Sequence, residues 1–180
     1  MTDAALLLRA LQFASVKHRD QRRKDMNASP YINHPIAVAA ALADEGRVTD
    51  DSLLVAAALH DTVEDTETTF DELEGQFGAE IADLVRELTD DKTLEKQRRK
   101  ELQIERARSA SPRAKQLKIA DKICNIRDIA DRPPSNWPVQ RRREYLEWAK
   151  QVVDGCRGVN QDLDAAFDAA LERASHLIEG

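Results

Sequence analysis

Four ionisable side chains follow an apolar run in the segment LHDTVEDT, and their spacing is suited to metal-assisted chemistry. They are His60, Asp61, Glu64 and Asp65. On a continuous helix His60 and Glu64 would share one face, and so would Asp61 and Asp65, because residues four apart are neighbours. Deep burial of three carboxylates without compensation is very costly, so a cation should lie beside them. Histidine and aspartate together are ligands suited to Mn²⁺, Fe²⁺ or Zn²⁺.

A metal site here needs two further ligands from distant parts of the chain. His34 lies at the end of a proline-flanked loop, and Asp121 lies in KIADKICNIRDI, with Asn125 one helical turn later on the same face. Taken singly, His34 is more typical of a packing histidine and Asp121 of a solvated helix residue. The joint order, His34, then the adjacent His60 and Asp61, then Asp121, favours one shared metal site.

These motifs resemble the HD phosphohydrolase superfamily, and in particular its small alarmone hydrolases. Those are the hydrolase-only relatives of the RelA/SpoT enzymes, and they include the metazoan SpoT homologue. The resemblance covers about residues 11–158 and rests on KHRDQRRKD, PYINHP, AALHDTVEDT, LTDDKT, KIADKICNIRDI and EYLEWAKQVV. Several such phrases in the same order are far more specific than a His-Asp pair alone. About twenty C-terminal residues take no part in the resemblance.

The resemblance implies metal-binding and catalytic roles for particular positions. Those that match the family's metal ligands, with Mn²⁺ the usual ion, are His34, His60, Asp61 and Asp121. Glu64 and Asp65 match the acidic pair that defines the hydrolytic site. Asn125 matches a residue close to the substrate and the attacking water. The chain shows no departure from the family at the metal or acidic-pair positions.

The resemblance also implies where a small guanine nucleotide would bind. Arg23, Lys24 and Tyr31 match the wall that receives the nucleotide, and Tyr145 and Asn125 are expected to line the same pocket. Arg23 and Lys24 end a basic run that is, by itself, more typical of a solvated turn. Its position just before the loop histidine favours phosphate binding, which arginine can perform with two parallel hydrogen bonds.

Three further cationic residues are expected near this pocket. Arg19 and Arg22 belong to the same basic run and would add positive charge for a highly negative substrate. Lys92, in the phrase TDDKT, is expected to reach the pocket as well, on weaker grounds.

The activity implied is hydrolysis of the 3′-diphosphate of guanosine tetra- or pentaphosphate, giving GDP or GTP and pyrophosphate. One alternative is an HD phosphatase that acts on another phosphorylated nucleotide, chiefly the 2′-phosphate of NADPH. Another is a non-catalytic nucleotide sensor, which loss of a ligand or of the acidic pair would mark. A synthetase role is disfavoured, because too few residues follow the matching segment. The metal's identity, the preferred alarmone and the oligomeric state stay open.

Helical periodicity along the chain predicts the elements that must position these side chains. We expect an all-α fold, a compact helical HD-domain bundle with a single central metal site, forming one domain over residues 1–180. The predicted helices cover approximately 3–19, 34–46, 50–65, 69–78, 79–89, 94–108, 112–132, 138–154 and 160–177. Residues 53–59 are apolar on every side, so that helix should cross the centre. Residues 18–35 should form a long, functional loop.

Composition limits the remaining function classes. The net charge of −6 argues against a nucleic-acid binder, although it does not exclude a small anionic substrate. No apolar run approaches the roughly 20 residues needed to span a bilayer. The first residues lack the basic region of a signal peptide, so a cytoplasmic protein is expected. Cys124 and Cys156 suggest neither a disulfide framework nor a metal motif, and Cys124 should be a small core residue.

Overall fold

Helices form where apolar residues recur at three- and four-residue spacing, as the computed structural model shows for residues 3–179. Their bounds are α1 Ala4–Lys17, α2 Asn33–Ala40, α3 Asp51–Leu59, α4 Thr62–Asp65, α5 Phe70–Phe77, α6 Ala79–Leu88, α7 Lys96–Ala107, α8 Pro112–Asp131, α9 Val139–Asp154 and α10 Gln161–Glu179. Within residues 3–179 no strand occurs, and the loop before α2 contains one isolated bridge, between Arg22 and Pro30. The all-α prediction is confirmed. The single domain expected over 1–180 also takes in residues 1, 2 and 180, which lie outside the described residues.

Side-chain caps fix the starts of the two helices that carry the central residues. Asp50 accepts a hydrogen bond from the Leu53 amide at 3.1 Å at the start of α3. Ser111 accepts one from the Ala114 amide at 3.2 Å, with Pro112 in the first turn of α8. Such caps typically contribute about 1 kcal/mol each, because they satisfy amides that have no partner inside the helix.

The helix α3 crosses the centre of the fold, as its apolar sequence predicts. Every residue from 53 to 59 is buried, and α3 packs against α1, α2, α6 and α8. A helix that is apolar on all sides must be surrounded in this way, since no face of it can be left in water. His60 and Thr62, which follow Leu59, are therefore buried although they are polar.

The structure corrects one prediction in this region, because residues 50–65 do not form one helix. The helix α3 ends at Leu59, a turn follows at His60 and Asp61, and α4 begins at Thr62. The Thr62 hydroxyl donates to the Leu59 carbonyl at 2.7 Å and occupies an acceptor at the helix end. Neighbouring side chains on a regular helix diverge by about 100°. At the turn, His60 Nε2 and Asp61 Oδ2 instead approach to 3.1 Å.

The C-terminal helix α10 packs against α8 and α9, although the sequence resemblance does not reach it. Its side chains Leu163 and Phe167 are fully buried. Since α8 carries Asp121, α10 supports the helix that provides one of the central carboxylates.

The π-helical turn Ala41–Glu45 continues α2 and contacts both α8 and α10.

Two expectations from composition can be compared with the structure. Cys124 is buried, as expected, and neither Cys124 nor Cys156 is in a disulfide. Among the described residues, no helix combines the length and apolar character that a membrane span requires.

We expect Phe167→Ala to lower the free energy of unfolding by about 3–5 kcal/mol, because it removes a fully buried ring and leaves a cavity. Leu177→Ala is the matched control on α10. Its side chain is 54% exposed, and a change within about 0.5 kcal/mol is expected. Urea denaturation followed by circular dichroism measures both. A cost below 1 kcal/mol for Phe167→Ala would show that α10 is not an integral part of the core.

Candidate metal centre

Side chains from three segments converge where α3 ends. His34 in α2, His60 after α3 and Asp121 in α8 each offer one ligand atom, and these atoms lie within 4.8 Å of one another. His34 Nε2 is 3.0 Å, and His60 Nε2 is 4.0 Å, from Asp121 Oδ1. Asp61 is not one of these three, but its Oδ2 lies 3.1 Å from His60 Nε2 and 3.8 Å from His34 Nε2. The structure thus brings all four residues together.

These spacings fit one first-row divalent cation. Nitrogen and oxygen ligands lie about 2.0–2.2 Å from such an ion, so neighbouring ligand atoms are about 3 Å apart and opposite ones about 4 Å apart. The four separations given above span 3.0–4.0 Å. Two imidazoles with two carboxylates are also a donor set that Mn²⁺, Fe²⁺ and Zn²⁺ accept. The cluster is therefore a candidate divalent-metal site.

The hydrogen bonds of His60 indicate which nitrogen would bind the ion. Its Nδ1 lies 2.8 Å from the Ala57 carbonyl and can only donate to it, which leaves Nε2 as the free lone pair of the neutral ring. That Nε2 atom is buried and has no hydrogen-bond partner among the described residues. An unsatisfied buried polar atom costs about 1–3 kcal/mol, and coordination of a cation would remove this cost.

The potential at the cluster is strongly negative. Burial opposes a charge on His60, yet Asp61 and Asp121 outweigh it and raise the pKa of His60 to about 9. The same two carboxylates would attract a divalent cation, and protons would compete with that cation at low pH.

Neighbouring groups hold the two carboxylates in place. Lys122 Nζ donates to Asp121 Oδ2 at 2.8 Å, and Asn125 Nδ2 donates to Asp121 Oδ1 at 2.6 Å. The Tyr31 hydroxyl donates to Asp61 Oδ2 at 2.7 Å. Burial would raise the pKa of Asp121, but Lys122 and the histidines keep it well below its usual range. Partners of this kind orient metal ligands, and their removal typically weakens metal binding by about 10–100-fold.

The predicted acidic pair lines the same cavity as the four clustered residues. This cavity, which we call the acidic cavity, has a volume of about 180 Å³. Glu64 accepts a hydrogen bond from the Asp90 amide at 3.2 Å and lies 3.8 Å from Arg99. Burial, assisted by nearby carboxylates, raises the pKa of Glu64 to about 7. Asp65 is paired with Lys92, so part of the compensation that these acids require comes from protein cations.

A second cavity of about 330 Å³ adjoins the acidic cavity, and we call it the aromatic cavity. The residues that line both are Arg23, Tyr31, Asp65 and Asn125. The five residues that the resemblance assigns to the nucleotide pocket all line the aromatic cavity, including the exposed Lys24 and the half-buried Tyr145. Trp137 also lines it, with its ring centre 5.8 Å from that of Tyr145. Trp137 was missed from the sequence because it lies in the proline-rich segment PPSNWP, where no helical period indicates which way a side chain points.

Arg23 lies at the boundary between the two cavities. Its Nη2 donates to Asn125 Oδ1 at 3.1 Å and to Asp128 Oδ2 at 2.7 Å. Its guanidinium also lies 5.6 Å from the ring centre of Tyr31. Asp128, which sequence reasoning did not single out, therefore helps to fix the position of Arg23.

The other cations of the basic run differ in position. Arg22 lines the aromatic cavity, although its Nη1 donates to the carbonyls of Arg19 and Gln21 at 2.8 and 2.9 Å. Arg19 pairs with Asp20, both side chains are largely exposed, and Arg19 lines neither cavity. The expectation that Arg19 serves the pocket therefore has no support, since its guanidinium is turned to solvent.

Two lysines that line the acidic cavity were also not identified from the sequence. Lys118 and Lys122 are buried and line it together with Asp121 and Asn125. These four residues follow the three- and four-residue spacing of one face of α8. This spacing could have been recognised in the sequence, because a row of charged and polar side chains along a largely buried helix indicates a functional site.

Comparisons with known proteins identify the family and its similar members. The HD domain family matches residues 10–148. The chain is 52% identical to guanosine-3′,5′-bis(diphosphate) 3′-pyrophosphohydrolase MESH1 of Xenopus tropicalis, over 93% of each chain. It is 54% identical to the MESH1 protein of Homo sapiens, over 92% of this chain and 93% of that one. The solved structure of a metazoan orthologue of SpoT that hydrolyses ppGpp is similar, with a TM-score of 0.92, 48% identity and coverage of 96% and 97%.

We expect His60→Ala to weaken Mn²⁺ binding at least tenfold, because it removes a ligand atom whose orientation the Ala57 carbonyl fixes. His176→Ala, an exposed histidine on α10, is the control and should bind Mn²⁺ like the wild type. Isothermal titration calorimetry of metal-stripped protein measures both affinities. Equal affinities for the two variants would show that the cluster does not bind the ion.

Proposed function

The chain belongs to the HD-domain family and, within it, to the MESH1 guanosine-3′,5′-bis(diphosphate) 3′-pyrophosphohydrolases, and we propose that it catalyses the reaction named for them. The substrate is guanosine tetra- or pentaphosphate, and the products are GDP or GTP and pyrophosphate. The observation that carries this proposal is the position of the acidic pair, Glu64 and Asp65, in one cavity with the candidate metal ligands. The whole of residues 1–180 would act as one HD domain. A cytoplasmic location without a nucleic-acid or membrane partner stays a prediction.

We assign one Mn²⁺ ion to the cluster, with His34, His60, Asp61 and Asp121 as its ligands. The mixed nitrogen and oxygen donors and the family resemblance support this choice, and other divalent ions suit the same donor set. When bound, such an ion polarises a phosphoryl oxygen and lowers the pKa of water, which favours phosphoester hydrolysis at neutral pH.

The chain's own acids move the protons of the reaction. The Glu64 carboxylate takes a proton from the attacking water, with Asp65 and Asn125 orienting the reactants. The water oxygen bonds to the phosphorus next to ribose O3′, the bond between that phosphorus and O3′ breaks, and the proton that Glu64 accepted passes to O3′ as pyrophosphate is released. A pKa of about 7 lets Glu64 both accept and release a proton near neutral pH.

The two adjoining cavities suit the two parts of the substrate. The diphosphate would occupy the acidic cavity, and the guanosine would occupy the aromatic cavity. Trp137 and Tyr145 offer ring faces to the base, and stacking of this kind accepts any base. Arg23, at the boundary, and Lys24, at the rim, would provide positive charge for the phosphates.

One rival substrate has an observation in its favour. An aromatic cavity that binds bases by stacking does not by itself distinguish guanine from adenine, so the adenine of NADPH would fit there as well. Rates measured side by side on guanosine tetraphosphate and NADPH distinguish the two, because the first reaction releases pyrophosphate and the second orthophosphate. A non-catalytic sensor is disfavoured, because the acidic pair lies beside the metal cluster.

We expect Glu64→Gln to lower the rate of pyrophosphate release from guanosine tetraphosphate by about 10²-fold or more, because the amide cannot take a proton. Its Mn²⁺ affinity should be retained. Glu67→Gln changes an exposed neighbour and is the matched control, with wild-type turnover expected. A Glu64→Gln variant with normal turnover would show that another group is the base.

We expect kcat/KM to fall about tenfold per pH unit below a pKa near 7, because the ionised carboxylate of Glu64 is the active form. A bound cation would favour the ionised form and move this limb to lower pH, so the limb lies at or below pH 7. The pH profile should be recorded with Mn²⁺ occupancy measured at each pH. The residual activity of Glu64→Gln should lack the limb, and an unchanged limb in that variant would assign it elsewhere.

A further inference from the structure

Lys118 is a buried cation without a counter-ion. Its residue is 8% exposed, and it lies on α8 three residues before Asp121. Among the side chains of residues 3–178, no carboxylate lies within 4.0 Å of its ammonium group, and no hydrogen bond of that group is observed. A buried charge is normally paired, because the loss of hydration costs several kcal/mol per ion, as an order of magnitude. The proposed metal and proton chemistry does not use Lys118.

Lys118 lines the acidic cavity, where the other lining cations already have partners. Arg23 is paired with Asp128 at 2.7 Å. Lys122 is paired with Asp121 at 2.8 Å and lies 4.7 Å from the ring centre of Trp148. Lys118 is therefore the lining cation that has no anion of its own in the described part of the chain.

The surroundings of Lys118 oppose its charge. Burial lowers the pKa of Lys118, and the neighbouring charge of Lys122 adds to this effect, while Cys156, Asp90 and Asp121 oppose it only partly. An anion in the cavity would compensate the charge that the protein leaves unbalanced. A polyanionic ligand fits this requirement, because its phosphoryl oxygens are strong acceptors for ammonium donors.

We propose that Lys118 binds the terminal phosphate of the substrate's diphosphate group in the acidic cavity and then contacts the pyrophosphate product. In the proposed reaction the phosphorus that the water attacks would lie beside the metal cluster, so the second phosphoryl group would need a cation that is not tied to a metal ligand. Lys118 is such a cation. The identity of the substrate rests on the proposed function, but an anion site at Lys118 does not.

The stability of a Lys118 variant distinguishes an anion-binding lysine from one that only stabilises the fold. Lys118→Met keeps most of the length of the side chain and removes an uncompensated buried charge. The thermal unfolding midpoint of the variant should therefore rise, although its anion binding is weakened. A lysine that held the fold together would give the opposite shift.

The test compares Lys118→Met with Lys115→Met, a half-buried lysine one turn earlier on α8. Inorganic pyrophosphate is titrated into each protein by isothermal titration calorimetry at one fixed Mn²⁺ concentration, so that chelation of the metal by the probe is the same for all. We expect at least tenfold weaker binding for Lys118→Met and no change for Lys115→Met. Lys118→Arg, which keeps the charge, should recover part of the affinity.

Pyrophosphate binding within twofold of the wild type in Lys118→Met would overturn the proposal. A lowered unfolding midpoint in both Lys118→Met and Lys118→Gln would overturn it too, because the charge of Lys118 would then be compensated in the folded protein. Lys118→Gln also provides the binding comparison if the methionine variant does not fold. These measurements need no turnover. A wild type that binds pyrophosphate through Lys118 but does not hydrolyse guanosine tetraphosphate would contradict the proposed function alone.

Discussion

Two carboxylates lie 3.0–4.0 Å from two imidazole nitrogens inside the protein, and this concentration of negative charge must be balanced. Neighbouring side chains balance part of this negative charge. Lys122 neutralises one oxygen of Asp121, and the Tyr31 hydroxyl donates to Asp61. The remaining imbalance is visible at His60, because Asp61 and Asp121 outweigh burial and raise the pKa of its imidazole to about 9. A divalent cation is the group that would complete the balance.

The fold brings these charges inside through its apolar elements. An apolar helix, α3, runs through the core and ends at the cluster, and α8, supported by α10, provides the opposite carboxylate. The turn at His60 and Asp61 interrupts the helix at the one place where two successive side chains must face the same point. Charge compensation is divided as well. Protein cations pair with Glu64, Asp65 and Asp121, whereas Lys118 is left for an external anion.

Much of this could be predicted from the sequence, because helical period and ligand order are local signals. The all-α fold and the convergence of His34, His60 and Asp121 follow from them. The break after Leu59 could not be predicted in this way, since the residues that follow are compatible with a helix, and a single hydroxyl bond of Thr62 accompanies the turn. Trp137 was missed because its proximity to the site arises from tertiary packing, whereas Asp128, one turn after Asn125 on the same face of α8, could have been identified from the helical period. Arg19 was misjudged because a basic run does not reveal which of its side chains face solvent.

The account depends most on four side chains binding one cation. Crystals grown with Mn²⁺ and measured at the manganese absorption edge test it directly. We expect one anomalous peak at about 2.0–2.3 Å from His34 Nε2, His60 Nε2 and one oxygen each of Asp61 and Asp121. Manganese bound elsewhere, or a peak in contact with fewer than three of these side chains, would contradict the account.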